Sequence, residues 1–198
     1  MNREQALALV RVEFEESARV LRRVGDDQAE FVVRAAEIVE AALRGGGTLF
    51  TCGNGGSAAD AQHIAAELSG RFYLERPGLA AMALTANTSA LTAIGNDYAY
   101  REVFSRQLDG LGRKGDVLLA ISTSGGSANV VEAVKKAREK GLAVVGMTGA
   151  LGGAFARACD AALVVPSENV ARIQEAHICA GHLLCQFVES AFFGGSRT

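Results

Sequence analysis

Apolar residues at helical spacing dominate the first 44 positions. Leu7, Val10, Phe14, Ala18 and Leu21 recur on one stripe; Phe31, Ala35, Ile38 or Val39, and Ala42 recur on another. This pattern predicts two amphipathic helices, over 5–24 and 28–44, separated at Gly25-Asp26-Asp27 and stopped at Gly45-Gly46-Gly47. Beyond them the period changes. Short apolar runs at 48–52, 80–84, 117–122, 143–148 and 161–165 alternate with helical stretches at 58–69, 89–95, 101–111, 128–140, 153–158 and 170–193. Strands that are apolar throughout need cover on both faces. The expected fold is therefore α/β: a three-layer sandwich with a five-stranded parallel sheet between helices. Residues 1–45 form a helical segment and 46–198 the sheet-bearing domain, together one structural unit.

Composition narrows the partners. Lys+Arg 20 against Asp+Glu 22 leaves a net charge of −2, which argues against nucleic-acid binding driven by overall charge. No apolar run approaches the ~20 residues of a membrane span, and the first residues carry acids where a secretory signal would carry bases. Cys52, Cys159, Cys179 and Cys185 show no C-x-x-C spacing, which suits a reduced, cytoplasmic chain using cysteine as a small apolar residue.

An internal echo carries the first chemistry. CGNGGSAAD (52–60) and STSGGSANV (122–130) each follow a strand and open a helix, and GGSA stands at 55–58 and again at 125–128. Glycines and small hydroxyls in such turns let backbone N–H groups converge at a positive helix end, which suits a phosphorylated or polyhydroxylated small ligand. The plainer reading is a pair of tight turns capped by Ser57 and Ser127. A dinucleotide site is disfavoured, because Gly53-x-Gly55-x-x-Ala58 is followed by a second strand with no acid placed for a ribose. A P-loop is disfavoured because no lysine follows the glycines.

Three histidines are present: His63, His177 and His182. His63 and Glu67 lie four apart on the helix after the first loop and share a face. Gln174 and His182 lie eight apart on the last helix, separated by about 80° around it. His177 falls on another side. The two pairs could converge on one cation or one reacting carbon, although each spacing also fits an ordinary solvated helix face.

In combination, CGNGGS, DAQHIAAELSGR, ERPG, IGND, GDVLLAISTSGGSANV and ARIQEAHICAGH closely resemble the phosphoheptose isomerases, a branch of the sugar-isomerase-domain superfamily. The resemblance covers nearly the whole chain. It implies a homotetramer with active sites at subunit interfaces and N-terminal helices used in oligomer packing. It also implies conversion of sedoheptulose 7-phosphate to D-glycero-D-manno-heptose 7-phosphate. Carried over position by position, the phosphate pocket falls on Ser122, Thr123, Ser124 and Ser127. Sugar contacts fall on Asn54, Gly55, Gly56, Asn96 and Asp97, with Ser57, Arg71, Glu67 and Gln174 also facing substrate. The resemblance implies one zinc per subunit, held by His63, Glu67, Gln174 and His182, with Glu67 as base and His182 as acid. Two positions depart from the family pattern: Gly126, where asparagine is frequent, and Ala171, where an acid is frequent. The rival readings are a non-catalytic relative of the same fold that binds the bacterial replication initiator, and a sugar-sensing regulator or an isomerase for another phosphosugar.

Overall fold

All six residues of β3 (Val117–Ser122) are buried, because they alternate between two cores. Val117, Leu119 and Ile121 face one core; Leu118 and Ala120 face the other. The same alternation runs through β1 (Leu49–Cys52) and β4 (Ala143–Gly149), while β5 (Ala161–Val165) and β2 (Ala81–Ala83) form the two edges, β5 burying Leu163 and Val165 in the first core. The five strands pair in parallel in the order β2-β1-β3-β4-β5. These elements belong to a computed structural model that describes residues 1–194.

Three helices cover one face: α1 (Arg3–Arg44), α2 (Gly56–Ser69) and α7 (Val170–Phe193). The other face is covered by α4 (Ser105–Leu111), α5 (Ala128–Glu139) and α6 (Gly153–Arg157), with α3 (Thr88–Asp97) against its margin. The three layers and the five parallel strands match the expected fold. Because β1 and β3 are adjacent, the crossovers leave them in opposite directions along the sheet. That reversal opens a crevice beyond their carboxyl ends, where both glycine-rich loops lie.

One expectation fails. The first 44 residues do not form two helices broken at Gly25-Asp26-Asp27; α1 is a single helix of 42 residues. Gly25 costs about 1 kcal/mol inside a helix, but it does not reset the apolar stripe. Val20, Val24, Phe31, Val32, Ala35 and Val39 stay in phase across it, and all are buried. Asp26 and Asp27 point to solvent, where they interrupt nothing. Tertiary contacts hold the helix along its length. The half-buried Ser17 hydroxyl donates to Glu175 at 2.6 Å, and Arg172 donates to the Glu13 carbonyl at 2.7 Å. The stop at Gly45-Gly46-Gly47 does hold. Gly46 adopts φ +80°, and a Cβ on Gly47 would lie 2.6 Å from the Gly115 carbonyl oxygen.

His177 is buried in α7 with neither ring nitrogen in a hydrogen bond. Burial pushes its pKa down to about 4, against a weaker pull from the Thr148 backbone. In the unfolded chain the imidazole returns to about 6.5, so below that pH the unfolded state takes up the proton first. The folded state therefore loses stability as pH falls from about 6.5 to about 4, by on the order of 3 kcal/mol. His177→Met should flatten this part of the acid limb. Urea midpoints that keep the wild-type slope across that window would show that His177 does not titrate on unfolding.

Candidate functional site

The site is set by how closely α7 approaches α2. A Cβ on Gly181 would lie 2.6 Å from Cδ1 of Ile64, so the bare glycine leaves the Ile64 side chain its place where the two helices meet. The neighbouring residues, His182 and His63, then face each other across the seam. Their Nε2 atoms are 3.0 Å apart. Nε2 of His63 also lies 3.2 Å from Oε1 of Glu67, one turn along α2. The two helices thus bring a carboxylate and two imidazoles together. His177, on another side of α7, is excluded from the group.

Gln174 joins from the same helix. A Cβ on Gly56 would fall 2.5 Å from its Nε2, so the first loop is bare of side chain where the amide crosses it. The loop is built for close approach elsewhere too. Gly55 adopts φ +54°, and a Cβ on Gly53 would meet the Ser57 carbonyl oxygen at 2.5 Å. Ser57 itself is buried in the first turn of α2, while Gly55 occupies the capping position without a side-chain bond.

The second loop lies alongside. Asn54 and Asn129 exchange amide hydrogen bonds, each Nδ2 donating to the other's Oδ1 at 2.8 Å. This pair ties the first loop to the start of α5. Tyr100 adds a longer hydroxyl contact to Asn54 Oδ1 at 3.4 Å. Within the second loop, Ser122 donates to the Ser127 hydroxyl at 3.0 Å, and Ser124 Oγ accepts from the Gly126 N–H at 3.1 Å. Ser127 occupies the capping position of α5 but makes no side-chain bond to it. Neither loop is therefore a turn capped by its serine, and the hydroxyls remain at the positive end of α5. Thr123 and Ser124 also line a cleft of about 90 Å³ whose far wall is Val170 and Ile173 of α7. Gln174 against Gly56, and the Asn54–Asn129 pair, are the contacts that link α7 and α2 to the two loops.

Three expected positions stand apart. Arg71 is 60% exposed and its nearest acid is Glu75 at 3.7 Å. Asn96 and Asp97, at the end of α3, are exposed and pair with each other at 2.9 Å. Asn129 was missed by sequence reasoning, although its place in the second GGSAN echo offered a signal. Asp60 was missed as well. It lies one turn before His63, with Oδ2 buried and unpartnered. Burial pushes its carboxyl up to about 6, with His63 opposing. The buried thiols cannot serve as nucleophiles, since burial pushes Cys52 and Cys185 to about 12.

Whether a metal suits this place depends on the donors. Two imidazoles and a carboxylate are the ligands zinc favours, and 3.0 and 3.2 Å lie close to the about 3.3 Å between neighbouring donors on a tetrahedral zinc. Among the described residues, however, no group of three or more His, Cys, Asp or Glu side chains is arranged to hold a metal ion as it stands. The donors fit in kind, and the spacings of His63 to His182 and to Glu67 fit as well.

The chain is similar to known proteins over most of its length. Residues 14–149 match the SIS domain family. The phosphoheptose isomerase of Rhodospirillum rubrum is 57% identical over 169 residues, covering 85% of this chain and 89% of its own. That of a Roseiflexus species is 55% identical over 91% of this chain and 92% of its own. The solved phosphoheptose isomerase of Neisseria gonorrhoeae superimposes with a TM-score of 0.88 at 48% identity, covering 93% of this chain and 99% of that one.

Gly181→Ala would force α2 and α7 apart at Ile64 and destabilise the fold by about 1–3 kcal/mol. Denaturant midpoints check this; an unchanged midpoint would mean Ile64 yields freely. From its domain match and its identity to these relatives, the chain belongs to the phosphoheptose isomerase family of SIS-domain proteins.

Proposed function

We infer that this chain is an aldose–ketose isomerase converting sedoheptulose 7-phosphate to D-glycero-D-manno-heptose 7-phosphate. The observation that carries this reading is the meeting of His63, Glu67 and His182 across α2 and α7, with Gln174 of α7 laid against Gly56 of the first loop and that loop tied by Asn54 to Asn129 at the start of α5. The reaction moves hydrogen between C1 and C2 of an open-chain sugar, and its barrier is removal of a C–H proton beside a carbonyl. Glu67 takes that proton from one carbon and returns it to the other. His182 holds and moves the proton on the adjacent oxygens, stabilising the enediolate between them.

The phosphate end does the positioning. Ser122, Thr123, Ser124 and Ser127 bind the phosphate with hydroxyls and loop N–H groups at the start of α5. Fixing this end spends remote binding energy on aligning C1 and C2 with Glu67 and His182. Asn54, Gly55, Gly56 and Ser57 face the sugar hydroxyls, with Gln174 over Gly56. Arg71, Asn96 and Asp97 complete the pocket only if substrate or a neighbouring subunit draws them in.

Zinc is proposed as the resident ion, one per subunit, with His63, Glu67, Gln174 and His182 as ligands. When bound it would polarise the substrate oxygens as a Lewis acid. A carboxylate bound to zinc would be a weaker base, so Glu67 acts as base to the extent that its carboxylate is free. The presence of all four side chains favours catalysis over an initiator-binding role. For the homotetramer, the support is an apolar groove of about 200 Å³ between α1 and α7, lined by Leu21, Val24, Val33, Leu183 and Phe187. Phe14, 74% exposed on the same helix, extends this apolar surface. No helix among the described residues is long and apolar enough to cross a membrane.

Incubation with sedoheptulose 7-phosphate should yield the aldose, whereas ribose 5-phosphate and fructose 6-phosphate should turn over poorly. A preference for either of those would overturn the substrate assignment. Glu67→Gln should lower kcat by at least about 100-fold while sedimentation velocity still reports a tetramer, and His182→Gln should also be severely slowed. Near-native turnover in either variant would remove that residue from its role. Exhaustive chelation should abolish activity, restored by zinc; full activity of metal-free protein would make the ion dispensable.

A further inference from the structure

The ERPG segment quoted among the family motifs has no part in the chemistry above, yet its arginine is the most heavily bonded side chain near the site. Arg76 is 1% exposed and pairs with Glu189 of α7, itself 2% exposed, at 2.8 Å. Its guanidinium closes the carboxyl end of α2. Nη2 donates to the Glu67 carbonyl at 2.9 Å, and Nη1 donates to the carbonyls of Leu68 at 2.8 Å and of Gly70 and Pro77 at 3.0 Å. Those of Glu67, Leu68 and Gly70 lie at the helix end, where carbonyls lose their intrahelical partners, and that of Pro77 lies in the loop beyond.

Glu189 mirrors this on the other side. Its carboxylate accepts the backbone N–H groups of Phe72 at 3.1 Å, Tyr73 at 2.8 Å and Leu74 at 3.0 Å. Burial raises this carboxyl, but the N–H groups of Tyr73, Phe72 and Leu74 and the Arg76 guanidinium outweigh it and keep it below the ordinary range. The loop between α2 and β2 is thereby fixed to α7 two turns beyond His182. Its Phe72 ring stacks on the His182 imidazole, 5.9 Å between centroids and 24° between planes.

We propose that Arg76 and Glu189 are positioning residues for the isomerase reaction, a buried ion pair that fixes the backbone under Glu67 and, through Phe72, the ring of His182. A buried charged pair is a poor stabiliser compared with packed apolar residues of the same volume. Here it does what apolar residues cannot: it satisfies four carbonyls and three N–H groups of an irregular loop while leaving that loop rigid. The base and the acid sit on different helices, and this pair joins the two helices on the side of the seam away from Gly181. The inference rests on Glu67 and His182 being the base and acid.

Arg76→Lys keeps the charge but cannot reach four carbonyls, and Glu189→Asp keeps the pair but draws back from the loop. The full chain, with the histidine rings isotopically labelled, provides three NMR signals. Both variants should lower kcat by between about tenfold and about 100-fold. KM should stay within about threefold, because the phosphate loop belongs to β3 and α5. The His182 ring signals should shift while those of His177, buried elsewhere on α7, stay in place and report an intact fold. Wild-type kcat, or a fall in kcat with His182 signals unmoved, would overturn the proposal. So would loss of the fold in both variants, which would make the pair a stability element alone. Failure of the underlying reading shows differently, as retained turnover in Glu67→Gln or His182→Gln.

Discussion

The contact between Gly181 and Ile64 is the constraint on which the site depends. Two helices from opposite ends of the chain pack on one face of a parallel sheet, and their separation is set where a side chain is missing. A methyl group there would have to displace the Ile64 side chain, next to which His63 and His182 bring their Nε2 atoms to 3.0 Å. The sheet makes this possible by holding β1 beside β3, so that α2 leaves from the same crevice as the phosphate-suited loop. Packing, in this protein, is what turns two unremarkable helix spacings into one chemical group.

Much of the fold could be read from the chain. Residues 117–122 and 161–165 are continuous apolar runs between turn signals, and both strands have those bounds. α7 also spans 170–193, because Asn169 caps its start and Gly194 adopts the left-handed conformation at its end. The misreading of α1 came from weighing Gly25-Asp26-Asp27 as a breaker without following the phase of the stripe. Val24 and Phe31 are seven residues apart, about 20° off register, so the apolar face never turns away. Local propensity lost there to a tertiary contact that spans the whole helix.

The site was less legible. His63 and Glu67 sit four apart and could be paired on sequence, but nothing in the spacing of Gln174 and His182 says which other helix they meet. That information lies in Gly56 and Gly181, whose missing side chains admit Gln174 and Ile64. Glycines that make room look like any others in a sequence with 23 of them. The partners of Arg76 were equally hidden, because they are mostly backbone atoms and one glutamate more than a hundred residues away.

The reciprocal pairing of Asn54 with Asn129 has a consequence for the lifetime of the protein. Asn54 precedes Gly55, and asparagine before glycine is the arrangement in which the following backbone nitrogen most readily attacks the side-chain amide carbon, closing a succinimide as the amide nitrogen leaves as ammonia. Holding that amide in two hydrogen bonds to Asn129 turns it away from its own backbone. The same bonds that join the two loops thus delay chemical ageing at the rim of the crevice. Any loosening of the loops would expose the molecule to wear at the very position that joins them.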